Sequence, residues 1–87
     1  MLRQIFISRV WVDSQYIYAS TFDGKTAKYA FADWKSFANT TDEQRKDFYL
    51  SYSGIHWRQI DEDLSFNGMF RDKGLYQVGD EVEIVRA

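Results

Sequence analysis

The chain has one histidine, His56, and within seven residues of it come Trp57, Arg58, Asp61, Glu62 and Asp63. Residue types in this order suit three kinds of chemistry. A carboxylate bonded to one imidazole nitrogen orients the ring as a base. One imidazole with neighbouring carboxylates can hold a divalent cation. A tryptophan flanked by charges can anchor a protein partner, because Trp, Tyr and Arg concentrate binding energy at interfaces. The structural alternative is a polar knot: the ring hydrogen-bonds its surroundings, and Asp61 or Asp63 caps the turn that follows. The rest of the chain weighs against catalysis. It has no second histidine, no cysteine, no serine in a recognisable nucleophile setting and no glycine-rich phosphate loop. No catalytic residue, metal-ligand set or cofactor is therefore expected.

Aromatic residues are the second feature: Trp 3, Tyr 6 and Phe 7 in 87 residues. Each buried ring removes about 150–250 Å² from water, so these supply a core, with rings to spare for an exposed patch. Trp11 and Trp34 are expected in the core. Tyr16 and Tyr18 are candidates for an open sheet face, since a tyrosine keeps its hydroxyl wet. Arg45, Lys46, Arg58, Arg71 and Lys73 are the basic residues available for a nucleic-acid patch. Asp42, Glu43 and Asp47 interleave with the first two, and the net charge is −2. A solvated surface is the expected role, without direct nucleic-acid binding.

A length of 87 residues accommodates one domain, 1–87. A chain this short buries only about 60–65% of the surface it exposes when unfolded. The absence of cysteine excludes disulfides and zinc–thiolate sites and points to a reducing compartment. Arg3, Ser8 and Arg9 interrupt the opening apolar run, which argues against a leader peptide. No stretch approaches the roughly 20 apolar residues of a membrane span, so the cytoplasm is the expected location.

The elements that must position these residues follow from pattern. Residues 3–12 are rich in β-branched and aromatic types, and both parities are apolar (Ile5, Ile7 and Trp11 against Phe6, Val10 and Val12), which suggests an inner strand. Residues 15–22 and 25–31 flank Asp23-Gly24, a hairpin signal, and read as a second and third strand. Trp34 and Phe37 are expected to pin the irregular stretch 32–40 to the core. Thr40 with Glu43, or Thr41 with Gln44, fits a capping box. A helix is predicted over 41–52, with Phe48 and Tyr52 on one face and Gly54 as its stop. Residues 54–63 are expected to be extended. Residues 64–70 suit one helical turn capped by Ser65 or Asp63. A turn at Gly79-Asp80 precedes an edge-like fourth strand over 81–85.

The runs Asn39-Thr40-Thr41-Asp42-Glu43-Gln44-Arg45, Gly54-Ile55-His56-Trp57 and Ile60-Asp61-Glu62-Asp63-Leu64-Ser65 resemble the small bacterial domain-of-unknown-function family numbered 2442. The resemblance covers residues 3–70 and leaves 73–87 as a C-terminal extension. It departs from the family pattern at Arg58, where relatives usually carry proline. It implies a small α+β fold with a meander sheet and a helix, and no established catalysis. For some similar proteins it implies membership of toxin–antitoxin-like pairs.

The expected fold is thus α+β: an antiparallel three- to four-stranded meander with one main helix packed on it and a short helical turn. The expected function is a non-enzymatic module that binds another protein through His56, Trp57, Arg58, Asp61, Glu62, Asp63, Tyr16 and Tyr18. The alternative is metal or nucleic-acid binding through His56, Asp61, Glu62 and Asp63 or the scattered Arg and Lys.

Overall fold

In strand β2 (Tyr16–Thr21) every second residue is buried, so Ile17, Ala19 and Thr21 face the core while Tyr16, Tyr18 and Ser20 face outward. A computed structural model describes residues 4–76 and 80–84. Arg3, Gly79 and Val85, which belong to expected elements, lie outside the described residues. β2 pairs antiparallel with β1 (Gln4–Val12) on one side and β3 (Thr26–Ala30) on the other. Gly24 closes the β2–β3 hairpin at φ 91°, a conformation that glycine adopts without a Cβ penalty.

The two apolar parities of β1 have a single cause. The β1–β2 register shifts between Ile7 and Arg9. Such a bulge moves the following side chains to the opposite face. Ile5 and Ile7 point inward before it. Val10 and Val12 pair with the inward Ala19 and Ile17 after it, which leaves Arg9 and Trp11 outside. Trp11 is therefore not in the core as expected. It stacks on Tyr18 across the outer face, with centroids 5.0 Å apart and planes 5° from parallel.

The sheet is mixed rather than a purely antiparallel meander. Strand β7 (Glu81–Ile84) lies parallel to β1, giving the order β3-β2-β1-β7. A parallel neighbour needs a crossover connection, and the intervening chain supplies one that carries a second sheet. Val82 is buried, and its N–H donates to Asn67 Oδ1 at 2.6 Å.

The expected helix over 41–52 is present for one turn and a half. Thr41 and Gln44 form the capping box reciprocally, at 2.9 and 3.1 Å. Helix α1 (Asp42–Lys46) then ends at Asp47, whose ψ of 61° leaves the helical region. The next four residues form strand β4 (Phe48–Ser51), paired antiparallel with β5 (Gly54–Trp57), which pairs with β6 (Asp63–Ser65). Phe48 and Tyr49 have high β propensity, and antiparallel pairing with Gly54–Trp57 gives the run backbone hydrogen bonds along one edge. Helix α2 (Phe66–Asp72) follows, with Ser65 as N-cap accepting from Gly68 N–H at 2.9 Å. It is the longest helix among the described residues.

One apolar cluster joins both sheets and α2: Ile5, Ile7 and Ile17 from the first sheet, Ile55, Trp57 and Leu64 from the second, and Phe66, Met69 and Phe70 from α2. Two 3-10 turns, Phe31–Asp33 and Lys35–Phe37, add Phe31 and Phe37 to it. Trp34 packs edge-on to Tyr29 at 5.3 Å and lies 5.3 Å from Phe37, so this crossing is pinned as its aromatic residues predict.

Candidate functional site

Strand pairing decides which side chains of the second sheet share a face. Tyr49 is opposite His56, and His56 is opposite Asp63, so all three project to one side. Ser51, two residues beyond Tyr49, projects to that side as well. Ile55, Trp57 and Leu64 take the other side and are buried.

His56 thus lies between partners on both neighbouring strands. Its Nδ1 is 2.6 Å from Asp63 Oδ1 and its Nε2 is 2.8 Å from Ser51 Oγ. The Tyr49 ring lies against the imidazole, with centroids 5.1 Å apart and planes within 28°. The Arg58 guanidinium is 4.9 Å from the centre of the same tyrosine ring. Arg58 also donates to Asp47 Oδ1 at 3.1 Å, and Gln59 Nε2 donates to Asp47 Oδ2 at 3.0 Å. These two donors, Gln59 first and Arg58 second, hold the Asp47 carboxyl below the usual carboxylate range.

The remaining expected contact residues are dispersed. Trp57 is 5% exposed and belongs to the core: its ring meets Phe37 edge-on at 4.9 Å, and its Nε1–H donates to the Arg45 carbonyl at 2.9 Å. It offers no surface to a partner. Asp61 is exposed. Glu62 is half-buried and accepts from Ser36 Oγ at 2.5 Å and from the Asp63 N–H at 3.2 Å. Among the described residues, no three His, Cys, Asp or Glu side chains are placed to hold a metal ion.

Tyr16 and Tyr18 lie on the outer face of the first sheet, both half-buried. Tyr18 donates its hydroxyl to Asp13 Oδ2 at 2.6 Å, which raises the phenol pKa and lowers that of Asp13. The Tyr16 ring carries Lys28 Nζ at 4.4 Å. Trp11, Tyr18 and Tyr16 form a continuous row with Arg9 over Trp11 at 4.5 Å, so much of their ring surface is already covered.

Ser51 was not visible as a site residue from the sequence. The signal is its position across a two-residue turn: Ser51 pairs with Gly54, which makes it diagonal to His56 on the same face. A helix over 41–52 hides that relation. Gly54 also takes a new role, since it ends no helix. A Cβ at Gly54 stands 2.6 Å from the Leu64 carbonyl oxygen and 3.4 Å from Ser65 Cα. The backbone of β6 cannot retreat without parting from β5. Gly54→Ala is expected to lower stability by about 1–3 kcal/mol, the range for overpacking a close approach. The check is a lower urea midpoint at an unchanged m-value.

Fold and face together define a mixed α and β protein with two sheets on one core, whose second sheet presents an aromatic-backed row of Ser51, His56 and Asp63. The chain belongs to the family described as Protein of unknown function (DUF2442), whose profile matches residues 7–73. That range runs from within β1 to the residue after α2 and leaves β7 outside it. No curated protein and no solved structure matches the chain. Among the described residues no helix is long and apolar enough to cross a membrane.

Proposed function

We propose that the protein is an interaction module, the antitoxin-like or regulatory member of a two-protein pair, which holds another protein against the outer face of β4 and β5. One observation carries this reading. Among the described residues the exposed large hydrophobics are Phe22, Tyr49, Leu50 and Tyr52; Tyr49 projects to the outer face, Tyr52 stands in the turn that follows β4, and Leu50, paired with Ile55, projects to the opposite side. Tyr49 and Tyr52 thus bring two exposed tyrosines to the outer side of one short strand and the turn that follows it. Apolar surface concentrated in this way marks contact sites more often than singly scattered residues do. Tyrosine presents a large ring with few rotamers to lose, which favours it at interfaces. The Arg58–Asp47 and His56–Asp63 pairs border the patch with charge, and an apolar centre with a polar rim is the usual interface layout. The two-protein pairing rests on the family resemblance alone.

The test uses the tagged full-length chain as bait in lysate of its source cells, followed by calorimetric titration of the purified partner. Tyr49→Ala and Tyr52→Ala are each expected to weaken binding about 10-fold or more while leaving the far-ultraviolet circular dichroism unchanged. A partner bound equally well by both variants would place the interface elsewhere and refute this surface. Trp57→Ala is unsuitable as a contact control, because that side chain is in the core.

A further inference from the structure

We propose that Ser51 is a nucleophile activated by His56 and oriented through Asp63, and that the class of substrate it takes is an activated carboxylic ester. The proposal goes beyond partner binding and does not depend on it.

Hydrogen-bond chemistry sets the direction of the row. Ionised Asp63 can only accept, so the 2.6 Å contact puts a proton on His56 Nδ1. In the neutral imidazole Nε2 is then an acceptor, aimed at Ser51 Oγ 2.8 Å away. The hydroxyl has one proton and two acceptors in reach. The Gly54 carbonyl is at 3.5 Å, so the nearer Nε2 takes it. A carboxylate fixing the tautomer of a histidine whose other nitrogen meets a hydroxyl is the arrangement that makes serine nucleophilic.

The row is also preorganised. Its three members come from three neighbouring strands, β4, β5 and β6, whose ladders fix their separations. Tyr49 lies against the imidazole and limits rotation of the ring. Gly54, directly opposite Ser51, has no side chain to cover the hydroxyl. Water reaches the row as well, since the His56 and Asp63 side chains are 26% and 74% exposed. An acyl group on Ser51 is therefore open to hydrolysis.

The reaction balances with ester and water alone. Oγ attacks the carbonyl carbon and the Oγ–C bond forms. The bond from that carbon to the leaving oxygen breaks. The hydroxyl proton passes to Nε2 and on to the leaving alcohol. Water then gives a proton to Nε2 and attacks the acyl carbon. The bond from that carbon to Oγ breaks, the proton on Nε2 returns to Ser51 Oγ, and the carboxylic acid departs.

The experiment treats the full chain with a fluorophosphonate, maps any adduct by mass spectrometry, and follows p-nitrophenol release from p-nitrophenyl acetate. A single adduct on Ser51 is expected. Ester turnover should fall about 100-fold or more in Ser51→Ala and His56→Gln, the scale of general-base assistance. Asp63→Asn should lower kcat with KM unchanged, as befits a positioning residue. Absence of a Ser51 adduct from the folded wild-type chain would overturn the proposal. Ester turnover unchanged in Ser51→Ala would overturn it equally, and so would labelling of Ser51 that is as fast in His56→Gln. Should His56→Gln fail to fold, the wild-type adduct map and Ser51→Ala, which removes one oxygen atom, still decide the question.

Discussion

Trp57→Ala is expected to destabilise the protein by about 3–5 kcal/mol, the range for removing a buried large aromatic. The ring is 5% exposed and contacts Phe37 at 4.9 Å and both Trp34 and Phe48 at 6.4 Å. Its removal opens a void where the 3-10 turns meet the second sheet. It also takes a donor from the Arg45 carbonyl. A chain of 87 residues has a total stability of about 4–13 kcal/mol at roughly 0.05–0.15 kcal/mol per residue. The loss is then a large share of the whole, and urea unfolding followed by circular dichroism would show a much lower midpoint. Trp57→Phe separates the two contributions, because it keeps most of the ring and leaves the carbonyl without its partner, at about 1–3 kcal/mol. A change below about 1 kcal/mol in Trp57→Ala would contradict the packing described. This placement also bears on function: a partner lost in Trp57→Ala would report unfolding rather than a missing contact.

Trp57 illustrates how far residue type reaches. Tryptophan is enriched both at interface hot spots and in buried clusters, and nothing in the run Gly-Ile-His-Trp says which way the strand faces. The parity of β5 settles it, with His56 out and Trp57 in. The β2–β3 hairpin was legible because Asp23-Gly24 marks a turn between two strand-like runs, 15–22 and 25–31. β1 was legible as an inner strand, but its bulge exchanges the parities halfway, so Trp11 was assigned to the wrong face. The start of α1 could be read from Thr41 and Gln44, since a capping box is a local device.

The end of α1 could not be read locally. Phe48 and Tyr52 fit helical spacing, and the turn Tyr52-Ser53 lacks the glycine or asparagine that usually marks a two-residue hairpin. Among the described residues Asn39 is the one non-glycine with positive φ, so that turn has no left-handed residue to signal it. Misreading it concealed Ser51, while His56 and Asp63 were visible as neighbours in one window. The direction of β7 was equally hidden, because parallel pairing to β1 is set by the path of the whole intervening chain.

The same limit applies to Arg45, which reads as a surface charge beside Asp42 and Glu43 and is in fact a clamp. Its Nε donates to Thr40 Oγ1 at 2.9 Å, one terminal nitrogen to the Ser14 carbonyl at 3.2 Å, and the other to the Phe37 carbonyl at 3.1 Å. The guanidinium lies 4.9 Å from the centre of the buried Phe31 ring. The β1–β2 turn, distant in sequence, is thereby joined to the second 3-10 turn and α1. Hydrogen bonds from a charged group contribute about 1.5–3 kcal/mol each, but the Phe37 carbonyl keeps the Thr40 hydroxyl as donor when the arginine is lost. Arg45→Ala is therefore expected to cost about 2–4 kcal/mol in total rather than the full sum. Lysine has a single point of attachment and cannot reproduce a fork directed at separate acceptors. Arg45→Lys should recover less than half of the loss, as measured by thermal and urea unfolding. Recovery close to wild type would mean that the positive charge over Phe31, and not the three directed bonds, is what the fold requires.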